Sequence, residues 1–173
     1  MNLTDIDNNS QIILGVDPGR TTGYGLIQVK NRNYIPIDYG CIRPPANFKL
    51  SDCYLAIFNG IEELIDKYAP RVLVVETQYV DKNVQSAIKL GMARGAIIIA
   101  AKRKGLLVFE YAPTQAKLAV VGSGKASKHQ VQHMVQQILR LSQLPEPEDA
   151  ADALALAICH AHASSHFLQP IEV

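Results

Sequence analysis

The sequence has 173 residues, which is enough for one domain with a full core and too few for two. Hydrophobic residues make up 48% and charged residues 19%, at a formal net charge of +1, which excludes a disordered chain. No apolar run approaches the ~18 residues of a membrane span, and the polar, acidic start lacks the features of a signal peptide. We therefore expect no membrane attachment, a disordered lead at residues 1–11, one domain at 12–166 and a tail at 167–173.

An antiparallel meander of three strands is expected at the start of the domain. The segment QIILGVD at 11–17 does not alternate between apolar and polar residues, which indicates a strand buried on both faces. Two β-rich segments follow at 21–30 and 34–43, and NRN between them is typical of a turn. Short turns of this kind join antiparallel neighbours.

Helices and strands alternate along the rest of the chain. Apolar residues at steps of three and four predict the inner face of a helix over 47–68, formed by Leu55, Phe58, Ile61, Ile65 and Tyr68. The sequence further predicts strands at 71–76 and 106–111 and helices at 83–104, 113–121, 128–141 and 149–163. Right-handed crossovers would make the first, fourth and fifth strands parallel, in an α/β fold with a mixed sheet and helices on both faces.

Acidic residues stand at the ends of two predicted strands and on the last helix. Asp17 ends the first strand and Glu76 ends the fourth, so parallel pairing would place these two ends about 4.8 Å apart at one edge of the sheet. Asp149 and Asp152 are three residues apart and share a helix face. Open α/β sheets bind ligands beyond the carboxyl ends of their strands, so this edge is the candidate site.

Each acid also has a structural explanation. Asp17 suits the turn DPG, Glu76 could end its strand in a salt bridge, and Asp149 suits the first turn of a helix. Asp152 lies deeper in an alanine-rich helix, where a carboxylate is unfavourable without a partner. Together, the four carboxylates would repel one another in one cleft, which favours a divalent cation, and hard oxygen ligands suit Mg²⁺.

The charge of the chain is unevenly distributed and indicates a polyanionic partner. Residues 82–140 contain ten lysines and arginines and one acid, a charge of +9, whereas the remainder carries −8. Two Mg²⁺ ions about 4 Å apart clamp the oxygens of a phosphate displacement, and a basic segment binds a phosphodiester backbone. A solvated helical face balanced by its neighbours would explain the charge equally well.

The three cysteines, Cys41, Cys53 and Cys159, are odd in number and show no C-x-x-C spacing. This pattern fits a reduced, cytoplasmic protein better than one with disulfides. We expect all three to be small buried residues.

Four segments of the chain resemble the RuvC family of Holliday junction resolvases over about residues 12–163: ILGVDPG…TGYGLI, VVETQYVDKNVQSAIKLGMARG, FEYAPTQAKLAVVGSGKASKHQVQHMV and DAADALALAICHAH. The resemblance implies a ribonuclease H-like fold with a five-stranded mixed sheet. It also implies a homodimer that resolves four-way DNA junctions in recombination and repair. The expected reaction is a pair of symmetric nicks in two opposed strands that leave 5′-phosphates. It would use two Mg²⁺ ions per site, for which Mn²⁺ can substitute, and a branch-migration complex of the RuvA/RuvB type is an expected partner.

The resemblance also assigns roles to individual residues. Its catalytic and metal-binding acids correspond to Asp17, Glu76, Asp149 and Asp152. Its junction-intruding aromatic residue falls on Tyr79, its DNA-contacting lysines are Lys117 and Lys128, and Lys125 lies in the glycine-rich loop between them. The small residues of one helix, which suit close helix contact, imply a dimer interface formed by Ala87, Leu90, Gly91, Arg94 and Gly95.

Other interpretations remain open on the residues alone. A ribonuclease H-type enzyme that cuts RNA–DNA hybrids would need the same acids, and a junction-binding protein without activity would not need them.

His129 and His133 are four apart and could bind zinc, but they lack the glutamate of an H-E-x-x-H motif, so a surface pair is favoured. His160, His162 and His166 lie on or past the last helix, where one of them could approach the site.

Overall fold

The computed structural model describes residues 10–77, 84–165 and 172, and there a five-stranded mixed sheet carries helices on both faces. The strands are β1 (Ser10–Asp17), β2 (Thr22–Lys30), β3 (Asn33–Ile42), β4 (Val72–Glu76) and β5 (Leu107–Tyr111). The helices are α1 (Leu50–Tyr68), α2 (Val84–Arg103), α3 (Pro113–Val121), α4 (Lys128–Leu139) and α5 (Glu148–Ser165).

The order of the strands is β3-β2-β1-β4-β5, with the meander on one side and the parallel strands on the other. β1 pairs antiparallel with β2 and parallel with β4, and β4 pairs parallel with β5. The turn between β2 and β3 consists of Asn31 and Arg32, both with positive φ (51° and 62°), as the tight turn of a twisted hairpin requires. The predicted mixed sheet is confirmed, and so are its parallel strands.

Two helical layers bury the two faces of the sheet. In β1, Ile13 contributes to the core beneath α3, α4 and α5, whereas Leu14 and Val16 contribute to the core beneath α1 and α2. Both faces are therefore covered, which explains the uninterrupted apolar run of the strand.

The inner face of α1 differs from the one predicted. Its buried residues are Cys53, Ile57, Ile61 and Ile65, which recur every four residues. Leu55 is 59% exposed, so its assignment to this face is wrong. The buried face begins at Cys53, which the predicted apolar face did not include.

The last helix lies directly on the middle of the sheet because glycines face it. A Cβ on Gly15 would stand 2.0 Å from the carbonyl oxygen of Ala153, and one on Gly23 would stand 2.1 Å from that of Asp149. Only residues without a side chain allow the backbone of α5 this close to β1 and β2. This approach brings the first turns of α5 to the edge where β1 ends.

The outward side of α2 is apolar, and none of the residues that the structure describes covers it. Val84, Ile88, Met92 and Ile99 are exposed, whereas Ala93, Ile97 and Ala100 are buried against the domain. This 20-residue helix also has the length and composition of a membrane span, a segment that was not expected from the sequence. Core helices of soluble proteins satisfy the same two criteria, so length and composition alone do not assign this helix to a membrane.

Candidate active site

The carboxylates predicted at the strand ends lie at one edge of the sheet. Val16 pairs with Val75 in the parallel register of β1 and β4, so the next residues, Asp17 and Glu76, are neighbours. Both stand at the carboxyl ends of strands whose preceding residues are buried, and both side chains reach a common cleft. The strands therefore hold the two acids by their backbones.

The cleft is completed by residues from α3, α4 and α5. Asp152 of α5, Lys117 of α3 and Lys128 of α4 share it with the two strand-end acids. Its remaining lining is mostly apolar and consists of Pro113, Ala116, Val131, Ala155 and Leu156. Charged groups of both signs thus face one another across a partly desolvated space.

The placement of Asp149 differs slightly from that of the other three acids. It is the second residue of α5, lies above Gly23, and is not among the described residues that line the cleft. Its charge still reaches Asp17, whose carboxyl pKa it helps to raise. Asp149 therefore stands beside the cleft, on the β2 side.

Mutual repulsion and burial disfavour the ionised forms of these acids. Burial raises the pKa of Asp17 to about 8, and the charges of Glu76, Asp152 and Asp149 add to the shift. Burial, followed by the charge of Asp152, raises the pKa of Glu76 to about 7. Burial also raises the pKa of Asp152, although Lys128 opposes that shift. Excess negative charge of this kind favours a bound cation.

The donor set fits a hard divalent cation in kind and number, since these carboxylates converge on one edge and need a positive charge. No three His, Cys, Asp or Glu side chains of the described residues are close enough to enclose an ion as they stand. Asp152 instead pairs with Lys128, whose Nζ lies 3.3 Å from its Oδ2. The side chains of Asp17, Glu76 and Asp152 would therefore have to rotate to ligate a metal together.

Lys128 connects the basic segment with the acids. Besides Asp152, its Nζ lies 3.6 Å from Oε2 of Glu148. It is the first residue of α4, and the preceding Ser127 caps the helix by accepting a hydrogen bond from the backbone N–H of Gln130. Sequence reasoning had assigned Lys128 to DNA alone and missed this ion pair.

The other predicted contact residues lie in different places. Lys125 is exposed in the loop between α3 and α4 and is absent from the described wall of the cleft. Tyr79 lies outside the described residues, as does His166.

The small residues predicted for a dimer interface lie on or near the uncovered side of α2. A Cβ on Gly91 or Gly95 would have nothing within 4 Å among the residues that the structure describes. Ala87 and Leu90 are partly exposed on the same helix. Arg94 differs from them, because its guanidinium forms an ion pair with Glu110 of β5 within the chain.

Cys41 is a residue near the site that sequence reasoning missed. Cys53 and Cys159 are buried as expected, but Cys41 is partly exposed, so the expectation that all three are buried is wrong. Burial raises the pKa of its thiol, and so do the charges of Asp149 and Asp17. The strand register explains this proximity, because Asp17 pairs with Gly23 and Gly23 pairs with Cys41.

His160 does not enter the cleft. Its Nδ1 lies 3.1 Å from the hydroxyl of Tyr111, its ring packs on Phe109, and burial lowers its pKa to about 4. The ring of His162 lies against the ring of Tyr34, which belongs to the edge strand β3. Neither contributes to the described lining of the site.

Comparisons with known proteins show which proteins the chain resembles in sequence and fold. Residues 13–160 match the family model described as Crossover junction endodeoxyribonuclease RuvC. The chain is 64% identical over 155 residues to the crossover junction endodeoxyribonuclease RuvC of Protochlamydia amoebophila, which covers 89% of this chain and 92% of that protein. The structure of Thermus thermophilus RuvC has a TM-score of 0.83 and 30% identity, covering 92% of this chain and 99% of that one. T. thermophilus RuvC in complex with Holliday junction substrate has a TM-score of 0.82 and 28% identity, covering 93% and 99%.

Proposed function

The chain belongs to the RuvC family of crossover junction endodeoxyribonucleases, and on that premise we propose that it resolves four-way DNA junctions in recombination and repair. Similarity to a RuvC structure that holds Holliday junction substrate supports this substrate class. The observation that carries the proposal is the cleft, where Asp17, Glu76 and Asp152 face Lys117 and Lys128. A site for phosphodiester hydrolysis needs carboxylates for a cation and basic groups for the backbone, and both meet there.

The reaction is metal-dependent, as it is throughout this family, and we propose Mg²⁺ with two ions per site, for which Mn²⁺ can substitute. When bound, the metal would polarise the phosphodiester and lower the pKa of the attacking water. Asp17, Glu76 and Asp152 would hold it, with Asp149 at the margin. Their backbones are fixed by β1, β4 and α5, so the ligands are positioned before the substrate arrives. The products would carry 5′-phosphates.

Lys117 and Lys128 would attract the phosphate backbone to the cleft, and Lys125 would extend this contact along the loop. The ammonium of Lys128 also neutralises part of the acidic charge while the site is free of substrate. We propose Tyr79 as the aromatic residue at the junction centre, because it stands three positions after Glu76 in the motif that resembles the family.

A homodimer would supply the second active site that two opposed nicks require, because its two-fold axis can match that of the junction. The uncovered apolar side of α2 supports this assembly. Gly91 and Gly95 leave room there for a second helix, with Ala87 and Leu90 beside them. A branch-migration complex of the RuvA/RuvB type and a cytoplasmic location are proposed on family membership alone.

Single substitutions in the cleft separate cutting from binding. Asp17→Asn, Glu76→Gln and Asp152→Asn should each reduce nicking of a four-way junction in Mg²⁺ to background, because each removes a proposed metal ligand. Junction affinity in a gel-shift assay should persist, since lysines supply the attraction. The matched control is Glu63→Gln, an exposed acid of α1 on the other face of the sheet, which should cut normally. Normal cutting by all three cleft variants would refute the site.

A further inference from the structure

We propose that His129 and His133 form a binding site for one divalent transition-metal ion, of the class Zn²⁺, Ni²⁺ or Cu²⁺, on the exposed side of α4. Both side chains are exposed, and neither belongs to the described lining of the carboxylate cleft. The inference rests on the geometry of this pair alone, so it does not depend on the proposed nuclease function.

The two imidazoles already stand at the separation that chelation requires. Their Nε2 atoms are 3.0 Å apart, with ring centroids 4.2 Å apart and planes at 73°. Zinc binds imidazole nitrogen at about 2.0–2.1 Å, so two such ligands at 90–110° around one ion lie about 2.9–3.4 Å apart. Without a metal, one Nε2–H would donate to the Nε2 lone pair of the other ring. When a cation binds, the donor ring would carry its proton on Nδ1 instead, so that both Nε2 lone pairs are available as ligands and no net proton is released.

The helix beneath the pair is held in place independently of it. Residues four apart on a helix share a face, so α4 presents both rings on one side. The backbone N–H of Ser127 donates to Oε1 of Gln130, and the Ser127 hydroxyl accepts from the Gln130 N–H. Val131 and Val135 anchor the opposite side in the core. The backbone that carries the two rings therefore needs no rearrangement when an ion binds.

The ligand type separates this site from the carboxylate cleft. Imidazole nitrogen suits Zn²⁺, Ni²⁺ and Cu²⁺, whereas carboxylate oxygen suits Mg²⁺ and Mn²⁺. Two protein ligands leave coordination positions for water or for an oxygen of an anionic ligand. The glutamate of an H-E-x-x-H motif is absent, since Gln130 follows His129, so the site would bind a metal without activating water. Its effect would be to add two positive charges beside Lys128.

Calorimetric titration of the full chain with Zn²⁺, in excess Mg²⁺ to saturate the carboxylates, tests the site. Wild-type protein should bind one equivalent at this pair, and His129→Asn or His133→Asn should each weaken that binding by about tenfold or more. The matched control is His162→Asn, which removes an imidazole from α5 and should leave Zn²⁺ affinity unchanged. The side chains of His129 and His133 are both exposed, so these two variants should retain the wild-type circular dichroism spectrum.

Electron paramagnetic resonance of Cu²⁺ identifies the ligands directly. Wild-type protein should show hyperfine coupling to two imidazole nitrogens, and each single variant should show one. If wild-type protein binds no Zn²⁺, or if both variants bind it as tightly as wild type, the site does not exist.

Discussion

Asp17 has the least favourable environment for a charge among the acids of the cleft. It is held at the end of a fully buried strand segment, with three further carboxylates nearby, and these together raise its pKa to about 8. An enzyme that binds a divalent cation gains from this arrangement, because the repulsion is relieved when the ion arrives. The metal-free protein, in contrast, is destabilised by it.

Asp17→Asn should therefore stabilise the metal-free protein increasingly as the pH rises from about 4 to about 8. The pKa of Asp17 is raised from 3.8 in the unfolded reference to about 8 in the fold, so the penalty is absent below about pH 4 and grows until about pH 8. The gain in the free energy of unfolding should reach about 1–3 kcal/mol there. Urea denaturation between about pH 5 and pH 8, with Glu63→Gln as the control, measures it. A loss of stability, or a gain independent of pH, would contradict the assigned environment.

Two lysines of the basic segment should behave differently when replaced. Lys128→Gln removes the group that pairs with Asp152, whereas Lys125→Gln removes an exposed charge from the loop. Each should reduce the slope of log affinity against log salt by about one, the value for one lost phosphate contact. Only Lys128→Gln should also slow nicking at saturating junction. Equal nicking by the two variants would show that Lys128 does not act in the cleft.

At the scale of elements, the site depends on how closely α5 lies on β1 and β2. The carbonyl oxygens of Ala153 and Asp149 occupy the space that side chains of Gly15 and Gly23 would fill. Backbone atoms cannot rotate away as a flexible side chain can. The distance between Asp152 and the strand-end acids is thus set by two glycines.

Gly15→Ala should push α5 away from the sheet and impair both stability and nicking. The added Cβ would lie 2.0 Å from the Ala153 carbonyl oxygen, and overpacking of this kind costs about 1–3 kcal/mol or more. The matched control is Gly124→Ala, whose Cβ would meet its nearest atom at an ordinary 3.5 Å. Thermal denaturation and junction nicking measure the two effects. If Gly15→Ala is as stable and active as Gly124→Ala, the close approach does not position the site.

The strand ends were the most predictable part of the site. Asp17 and Glu76 each follow an uninterrupted apolar run, and parallel pairing then makes them neighbours. Contacts between side chains of different elements were not predictable in this way. Cys41 reaches the acids only through the register of β2 and β3, and the Lys128–Asp152 pair depends on how α4 crosses α5. A linear sequence specifies periodicity along each element, whereas these contacts depend on packing between elements.

At the scale of the whole molecule, the uncovered side of α2 is the main feature that one chain leaves unexplained. It combines exposed apolar residues with two glycines, Gly91 and Gly95, at which an added Cβ would meet no atom of the described residues within 4 Å. Contiguous exposed apolar surface marks interaction sites. We propose a second copy of the chain as its occupant, because two opposed nicks need two active sites.

Ile88→Glu should yield a folded monomer that cuts junctions poorly, because a charge would be buried in the interface. Ile88 is 53% exposed in the single chain, so the substitution should not disturb the domain itself. The matched control is Ile35→Glu on the edge strand β3, where Ile35 is 43% exposed. Sedimentation should show a dimer for wild type and the control and a monomer for Ile88→Glu. A dimer in all three proteins would exclude this face of α2 as the interface.

The most direct test of junction resolution compares nicking of a four-way DNA junction, a linear duplex and an RNA–DNA hybrid at equal concentrations in Mg²⁺. We expect the junction to be cut best, with paired nicks at symmetric positions in two opposed strands within one binding event, and no cutting without the metal. A ribonuclease H-type enzyme would prefer the hybrid and would act on one strand as a monomer. Preferential cutting of the hybrid, or unpaired nicks in the junction, would contradict the proposed function.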